Sequence, residues 1–511
     1  MAFVEVIQER TRQYLSTVPK SERKNIGQFF TPTPIASFMG RLPSCAGERI
    51  YALDPGAGSG ILTAALVDGL VSQGIQTIHV DLYENNEAVL PLLESNLQYI
   101  EDDLSRKNIV FDFQIFSRNF IEDNQFAWTG MLQAEQYDIV ISNPPYKKIG
   151  KAAAEAMAMS DIVYGQPNLY FLFMAMGARL LKPNGRFVYI VPRSFASGLY
   201  FTAFRQWFLS EMQITQLHLF VSREAVGGKH DSVLQETVII QARKTREKQS
   251  RILITESMDE HCDMPSSRYY VDYSTCVGSD NNAFLYFPTS QEDAMILDLV
   301  NRWPTTLPRL GFRMKTGLLV DFREREWLIE SGESEAVPLL WAYNFSGSRI
   351  RFPVQVDGKP QYLRDEAATH RLQMRRGNYL LLKRFTSKEE KKRLQCALLF
   401  DDDFSSFRSI STENHLNFIT KTSGDMHREE LFGLYVVLNS SYLDRYFRIL
   451  NGSTQVNANE INAIPFPALQ EIIQLGRRAM ACSELNETVC DTILENHCFS
   501  ESNDRIVRVA Q

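Results

Sequence analysis

The sequence lacks what a membrane protein, a disulfide scaffold or a zinc protein would need. No apolar run approaches the roughly 18 residues that cross a bilayer. The N-terminal MAFVEVIQERTRQYL mixes charges into its apolar residues and has no signal-peptide core. Seven cysteines (Cys45, Cys262, Cys276, Cys396, Cys482, Cys490, Cys498) are odd in number and scattered, with no CxxC pair, as expected of reduced thiols. Excess positive charge is also missing: 54 Lys and Arg against 61 Asp and Glu leave −7. That sum does not advertise nucleic-acid binding, although it can hide a local basic face. No internal repeat and no nuclease-like cluster of acids stands at either end. The expectation is a cytoplasmic chain with no metal and no membrane association.

What is present is ample material for a core. With 511 residues, 44% hydrophobic and 23% charged, two or three domains are expected. The first half alternates strand and helix patterns. Residues 1–24 read as a charged amphipathic helix. Asn25-Ile26-Gly27-Gln28-Phe29-Phe30-Thr31-Pro32-Thr33-Pro34 is a turn-rich aromatic stretch leading into a helix at Ile35–Met39. Thr33 and Pro34 suit an N-cap and a first-turn proline, and the same backbone amides and hydroxyls suit a carboxylate ligand. Ile50–Leu53 is a short buried strand followed by Asp54-Pro55-Gly56-Ala57-Gly58-Ser59-Gly60 and helical periodicity from Ile61 to Val71. Strand, glycine-rich turn and helix is the cofactor-binding arrangement of doubly wound sheets, and also a plain way to pack a helix on a sheet. Asp54 before the first glycine suits an ammonium better than a pyrophosphate. A second strand, Thr77 to Tyr83, ends at Glu84, placed to hold two ribose hydroxyls or to cap the next helix. A third, Val110 to Phe116, leads to Arg118-Asn119-Phe120, where an amide and a ring could meet an adenine or simply form loop and core.

Tyr137 to Tyr146, YDIVISNPPY, is the most pointed stretch. Five residues have the look of a strand buried on both faces. Asn143-Pro144-Pro145-Tyr146 then forces the chain out of the sheet, because two prolines continue neither a ladder nor a helix. The Asn143 side-chain oxygen and the Pro144 carbonyl can each accept one hydrogen of an sp2 amine, drawing its lone pair toward an electrophile. Tyr146 can stack on the ring that bears the amine, for roughly 1–3 kcal/mol. A helix at Gln166–Leu181, a strand from Arg186 to Val191 and two strands within Gln216–Ala242, joined by Gly227-Gly228-Lys229-His230, continue the alternation. At least four alternations argue for one parallel sheet with covered faces.

GQFFTP, DPGAGSG, an acid on the second strand and NPPY stand here in one order. That order resembles the γ-type amino-methyltransferases of restriction–modification systems, nearest to adenine-N6 DNA methyltransferases of the PstI/BsuBI kind. The resemblance covers roughly the first half of the chain. It implies a seven-stranded, Rossmann-like α/β methyltransferase sheet using S-adenosylmethionine (AdoMet), with S-adenosylhomocysteine as product and no metal, followed by a mixed α+β target-recognition domain. It also implies residue roles. Phe30, Thr31 and Pro32 would lie at the methionine end of the cofactor. Asp54, Gly56 and Gly58 would shape the pocket for that amino acid, and Glu84 would hold the ribose. Phe120 would pack on the cofactor adenine, with Asn119 meeting its amine through the amide oxygen where the family often has Asp. Asn143, also beside the cofactor, would grip the target adenine with Pro144, Pro145 and Tyr146. An aromatic on the second face of the flipped base is expected too, with Tyr164, Phe220 and His230 as candidates. The implied setting is a prokaryotic cytoplasm at the nucleoid, with double-stranded DNA as partner and a cognate restriction endonuclease as a functional one.

The expected division is a catalytic domain at 1–286, a helical linker at 287–310, a target-recognition domain at 311–467 and closing helices at 468–511. In the third segment a local positive excess is the footprint of a phosphate-contacting face. Its candidates are Arg313, Lys315, Arg375, Arg376, Lys383 and Arg384. The amide-rich run Asn451–Asn457 could read adenine edges or form turns, with Asn451 the candidate base reader. Competing functions are methyl transfer to RNA bases or protein glutamine, a catalytically inactive DNA-binding module, and a nicotinamide-dependent dehydrogenase, which leaves NPPY without a purpose.

Overall fold

The computed structural model describes residues 2–17, 31–45, 47–220, 237–258, 265–278, 282–330, 336–386, 390–451 and 454–498. The chain divides into two compact units, residues 1–289 and 290–511.

In the first unit, nine strands among the described residues form one sheet: β1 (Arg49–Asp54), β2 (Thr77–Tyr83), β3 (Val110–Phe116), β4 (Tyr137–Ser142), β5 (Leu181–Pro192), β6 (Met212–Phe220), β7 (Thr237–Lys244), β8 (Arg251–Ser257) and β9 (Ser267–Asp272). Their order is β3-β2-β1-β4-β5-β7-β6-β8-β9. β1 to β5 pair in parallel, whereas β7 runs antiparallel to both β5 and β6. The expected seven strands are therefore present, extended at one edge by β8 and β9. The chain reverses direction across the sheet between β1 and β4, and in open α/β sheets such a switch point is where ligands bind. The carboxyl ends of β3, β2, β1 and β4 lie side by side there, so the segments that follow them share one rim.

Sequence chemistry explains these elements. Ile139, Val140 and Ile141 of β4 are fully buried, as both faces of the strand are covered. The helix Leu169–Leu180 buries ten of its twelve residues and starts at Asn168, whose side chain accepts from the Tyr170 amide. Gly177 on that helix is required: a Cβ there would stand 2.3 Å from the Tyr189 hydroxyl. The helix expected at Ile35–Met39 runs Thr33–Arg41, beginning sooner, because Pro32 is the N-cap and Pro34 falls in the first turn. Thr33 is therefore not the cap, and its buried hydroxyl has no hydrogen-bond partner among the described residues.

The second unit holds a six-stranded sheet and a five-stranded sheet among its described residues. The helix Gln291–Asn301 belongs to this unit, where Arg445 bonds Asp293 on its first turn. Helices Arg428–Asn439 and Leu469–Met480 approach through Gly433 and Gly476, where a Cβ would meet a backbone oxygen at 1.9 and 1.8 Å. A third helix follows at Glu487–Cys498. No helix among the described residues is long and apolar enough to cross a membrane. The six described cysteines are free.

Candidate active site

A cavity of about 720 Å³ opens at the carboxyl rim of the first unit's sheet. Its walls come from four strand ends. After β1, Gly56 and Gly58 turn the chain toward the helix Ile61–Ser72, with Gly58 at φ +53° and Gly60 at φ +82°. After β2, the Glu84 carboxylate accepts from the Gly58 amide at 2.9 Å and from the Asn86 amide at 2.8 Å. It thus ties the glycine turn to its neighbouring strand. After β3 come Asn119 and Phe120, and after β4 the NPPY loop.

Asn143 is held at both ends of its amide. Its Nδ2 donates to Thr31 Oγ1 at 3.1 Å, and its Oδ1 accepts from the Tyr146 hydroxyl at 2.9 Å. The same hydroxyl lies 3.0 Å from the Ile190 carbonyl oxygen of β5. Tyr146 is thereby anchored to the sheet, and burial pushes its phenol well above the ordinary range. Pro144 is buried, Pro145 is exposed, and the Pro144 carbonyl accepts no hydrogen bond among the described residues.

Asp54 does not line this cavity. It is fully buried beneath the glycine turn, where Oδ2 accepts from the Thr63 hydroxyl at 2.8 Å. Burial is the main cause that pushes its carboxyl up to about 7; the nearby Glu84 adds to the shift, and the Thr63 and Gly56 hydrogen bonds oppose it. Below about pH 4 the group is protonated folded or unfolded. From there to about pH 7 only the folded chain keeps the proton, so its contribution to stability falls as pH rises, by at most about 1.4 kcal/mol per pH unit. Asp54→Asn should therefore gain stability over the parent progressively from pH 4 to 7. Urea unfolding of both proteins at several pH values checks this, and a pH-independent difference would refute it.

Of the residues singled out in the sequence, Thr31, Gly56, Gly58, Glu84, Asn119, Phe120, Asn143, Pro144, Pro145 and Tyr146 all line the cavity. Pro32 serves instead as a helix cap, and Phe30 lies outside the described residues. Asn119 has a different task from the one expected. Its Oδ1 accepts from the Ile121 and Glu122 amides, capping the short helix Phe120–Asp123, so the oxygen is not free for an adenine amine. Of the candidates for a second aromatic face, Phe220 is a core residue packed on His218, and His230 lies outside the described residues. Tyr164 is exposed and pairs with Tyr200, ring centroids 6.3 Å apart. Phe173, Leu169, Glu155, Lys147 and Lys148 also line the cavity and were not anticipated. Phe173 and Leu169 carry the same apolar pattern as any buried helix face, and Glu155 sits in an alanine-rich run without a motif.

The residues fit AdoMet. At Gly56 a Cβ would project to within 3.8 Å of the Asn143 carbonyl oxygen and the Phe173 ring, so the glycine keeps that wall open. Phe120 and Phe173 pack on one another, ring centroids 5.1 Å apart, and form one apolar wall against which a purine can lie, and Glu84 supplies acceptors for a diol. No group of three or more His, Cys, Asp or Glu among the described residues could hold a metal ion.

The basic candidates of the second unit do not form one face by themselves. Alternation along β10 (Phe312–Thr316) buries Phe312 and Met314 and turns Arg313 and Lys315 outward. These two share a concavity of about 390 Å³ with Arg384, Asn457 and Asn459. Arg384 is half-buried and donates to the Asn414 carbonyl at 3.1 Å. Lys383 instead lies over the Phe345 ring, Arg376 is paired with Asp401 at 2.9 Å, and Arg375 is exposed with Asp425 3.8 Å away. Asn451 is no base reader. It is buried, accepting from Arg393 and donating to Glu460.

Residues 62–226 match the Eco57I restriction-modification methylase family. The chain is 32% identical over 480 residues to the Type II methyltransferase M.BsuBI of Bacillus subtilis, spanning 91% of this chain and 94% of that protein. It is 30% identical over 481 residues to the Type II methyltransferase M.PstI of Providencia stuartii, spanning 94% of each. The solved DrdV–DNA complex aligns with 88% of this chain and 56% of its own at 12% identity and a TM-score of 0.48, too loose a likeness to argue from. Identity at this level along nearly all of both relatives, on a methyltransferase sheet whose NPPY loop and glycine turn share one cavity, places the chain in the Type II methyltransferase family of M.BsuBI and M.PstI.

Proposed function

We propose that this chain transfers a methyl group from AdoMet to N6 of an adenine in double-stranded DNA, as the modification half of a restriction–modification system. The observation that carries the reading is the Asn143 amide, fixed by Thr31 and Tyr146, in the same cavity as the glycine turn and Glu84.

Glu84 and the turn would hold the ribose and the amino-acid end, with the wall formed by Phe120 and Phe173 beside the purine. AdoMet supplies the electrophile, a methyl group on a sulfonium. A target adenine lies inside the base stack and must be flipped out, at a cost of a few kcal/mol. Asn143 Oδ1 and the Pro144 carbonyl would then accept the two N6 hydrogens and orient the nitrogen lone pair in line with that methyl. Catalysis is mainly positioning and polarisation. No strong base is required, because N6 sheds its proton after the new bond forms. Lys147 and Lys148 follow the loop on the cavity rim, where a DNA phosphate beside the flipped nucleotide would meet them. The second unit would supply sequence recognition, and Tyr164 a stacking surface. A restriction endonuclease cutting the same sequence is the functional partner of such an enzyme.

The test is transfer of labelled methyl from AdoMet to unmethylated duplex DNA, RNA and a protein mixture in separate reactions, followed by nucleoside analysis. Label in N6-methyladenine of the duplex is the expected outcome. Label confined to RNA or protein would overturn it.

A further inference from the structure

The cavity has one acidic side chain to which neither motif nor family resemblance gives a role. Glu155, on the short helix Ala154–Ala158, lies 36 residues from Asn119 in sequence, yet its Oε1 accepts from Asn119 Nδ2 at 2.9 Å. Both residues line the cavity. The pair has a fixed polarity. Asn119 Oδ1 is taken by the Ile121 and Glu122 amides at 3.0 and 3.3 Å, so its NH2 group must face Glu155. Reversing the amide would leave two backbone amides facing an NH2 and set an oxygen against a carboxylate. Asn119 therefore has a donor to offer Glu155 and no acceptor left for a ligand. Glu155 Oε2 has no hydrogen-bond partner among the described residues, and the residue is half-buried.

Oε2 is not among the fully buried polar atoms, so it stays open on the wall of the cavity, where a carboxylate oxygen can accept from a ligand donor. Within the proposed function, a donor that the cofactor itself brings to this cavity is the exocyclic amine of its purine. That ring would lie against Phe120, the residue next to Asn119, and Phe173. We propose that Glu155, oriented by Asn119, accepts the N6 amine of the cofactor adenine and makes the site selective for adenine over hypoxanthine. This inference rests on the AdoMet reading of the cavity. The bland role, an acid in the first turn of a helix, accounts for the position of Glu155 in its helix. It does not account for the bond to Asn119 or for the place of both residues on the cavity wall.

The sign of the hydrogen bonds makes a sharp test. A carboxylate accepts from the adenine amine and repels the O6 carbonyl of hypoxanthine. In Glu155→Gln the side-chain oxygen must take the Asn119 NH2, which turns the glutamine NH2 toward the purine edge. That NH2 opposes an amine and welcomes a carbonyl. Calorimetry should compare S-adenosylhomocysteine with its inosine counterpart on the full chain. The parent should favour the adenine compound by at least about 10-fold, in line with losing a charge-assisted bond. Glu155→Gln should shrink or invert that ratio. Asn119→Asp combined with Glu155→Gln should restore it, since the carboxylate introduced in place of the Asn119 amide would accept the glutamine NH2 and return an oxygen to the purine. Each ratio is internal to one protein, so a change in folded fraction does not imitate the effect. An unchanged ratio in Glu155→Gln overturns the assignment of Glu155. Failure of the parent to bind S-adenosylhomocysteine at all overturns the AdoMet reading beneath it.

Discussion

Replacing Asn143 by alanine should slow methyl transfer by roughly 10³-fold or more while S-adenosylhomocysteine affinity stays within about threefold, because in the proposed mechanism the amide acts on the target amine in the transition state. Three things are lost together. The proposed acceptor for one N6 hydrogen goes, and with it the pull that would free the lone pair. The Thr31 hydroxyl loses its donor, and the Tyr146 hydroxyl keeps only the Ile190 carbonyl. Cofactor binding should survive because the glycine turn, Glu84 and Phe120 belong to the ends of other strands. The measurement is a single-turnover rate at saturating AdoMet and duplex, beside calorimetric titration of the product cofactor. Tyr146→Phe separates orientation from chemistry: it retains the ring and the Asn143 oxygen and removes the pin, so a loss nearer 10-fold is expected. Turnover of Asn143→Ala close to the parent would remove that residue from the mechanism.

The reason this loop could be found without coordinates is that its residues are unusual for structure. Asn-Pro-Pro-Tyr directly after a buried apolar run breaks both ladder and helix, and the Gly56 and Gly58 turn is equally hard to place elsewhere. The strand ends at Glu84 and Asn143 followed from residue patterns alone, and the sheet order then set them on one rim, on either side of β1. What the chain did not disclose is direction. Asn119 was expected to aim its oxygen at a ligand, whereas the start of a helix claims that oxygen. Asp54 was expected at the cavity wall, yet the helix that follows the turn brings Thr63 over it and leaves it beneath. Burial and hydrogen-bond competition decide such cases, and both depend on residues far away in sequence. Asn451 shows the limit most clearly. Its amide-rich neighbourhood resembles a base-reading loop, but the partners that bury it, Arg393 and Glu460, are 58 and 9 residues away. A local pattern has no access to the first of these.

The same competition sorts the basic residues of the second unit, and it yields the other large effect. Arg376 spends its charge on Asp401 and Lys383 lies over a ring, whereas Arg313 and Lys315 point outward from β10 into the concavity that Arg384 also lines. Three of the six basic candidates share one hollow, with Asn457 and Asn459 beside them, and suit phosphate contacts better than Arg375, Arg376 and Lys383 do. The triple variant Arg313→Ala, Lys315→Ala, Arg384→Ala should weaken duplex binding by roughly 10²-fold or more in low salt and make the slope of log affinity against log salt shallower by about 2–3, one counterion-release contribution per lost contact. S-adenosylhomocysteine binding should be unaffected, because its proposed site is built within the first unit. Substituting Arg375, exposed near Asp425, should change the slope by less than about one contact. Fluorescence anisotropy over a salt series, with the cognate duplex and a scrambled one, separates the two roles these side chains could have. Equal weakening on both duplexes identifies phosphate contacts, and loss confined to the cognate duplex identifies a base contact, since only base contacts carry sequence. If affinity and slope are both unchanged in the triple variant, DNA does not run through this hollow.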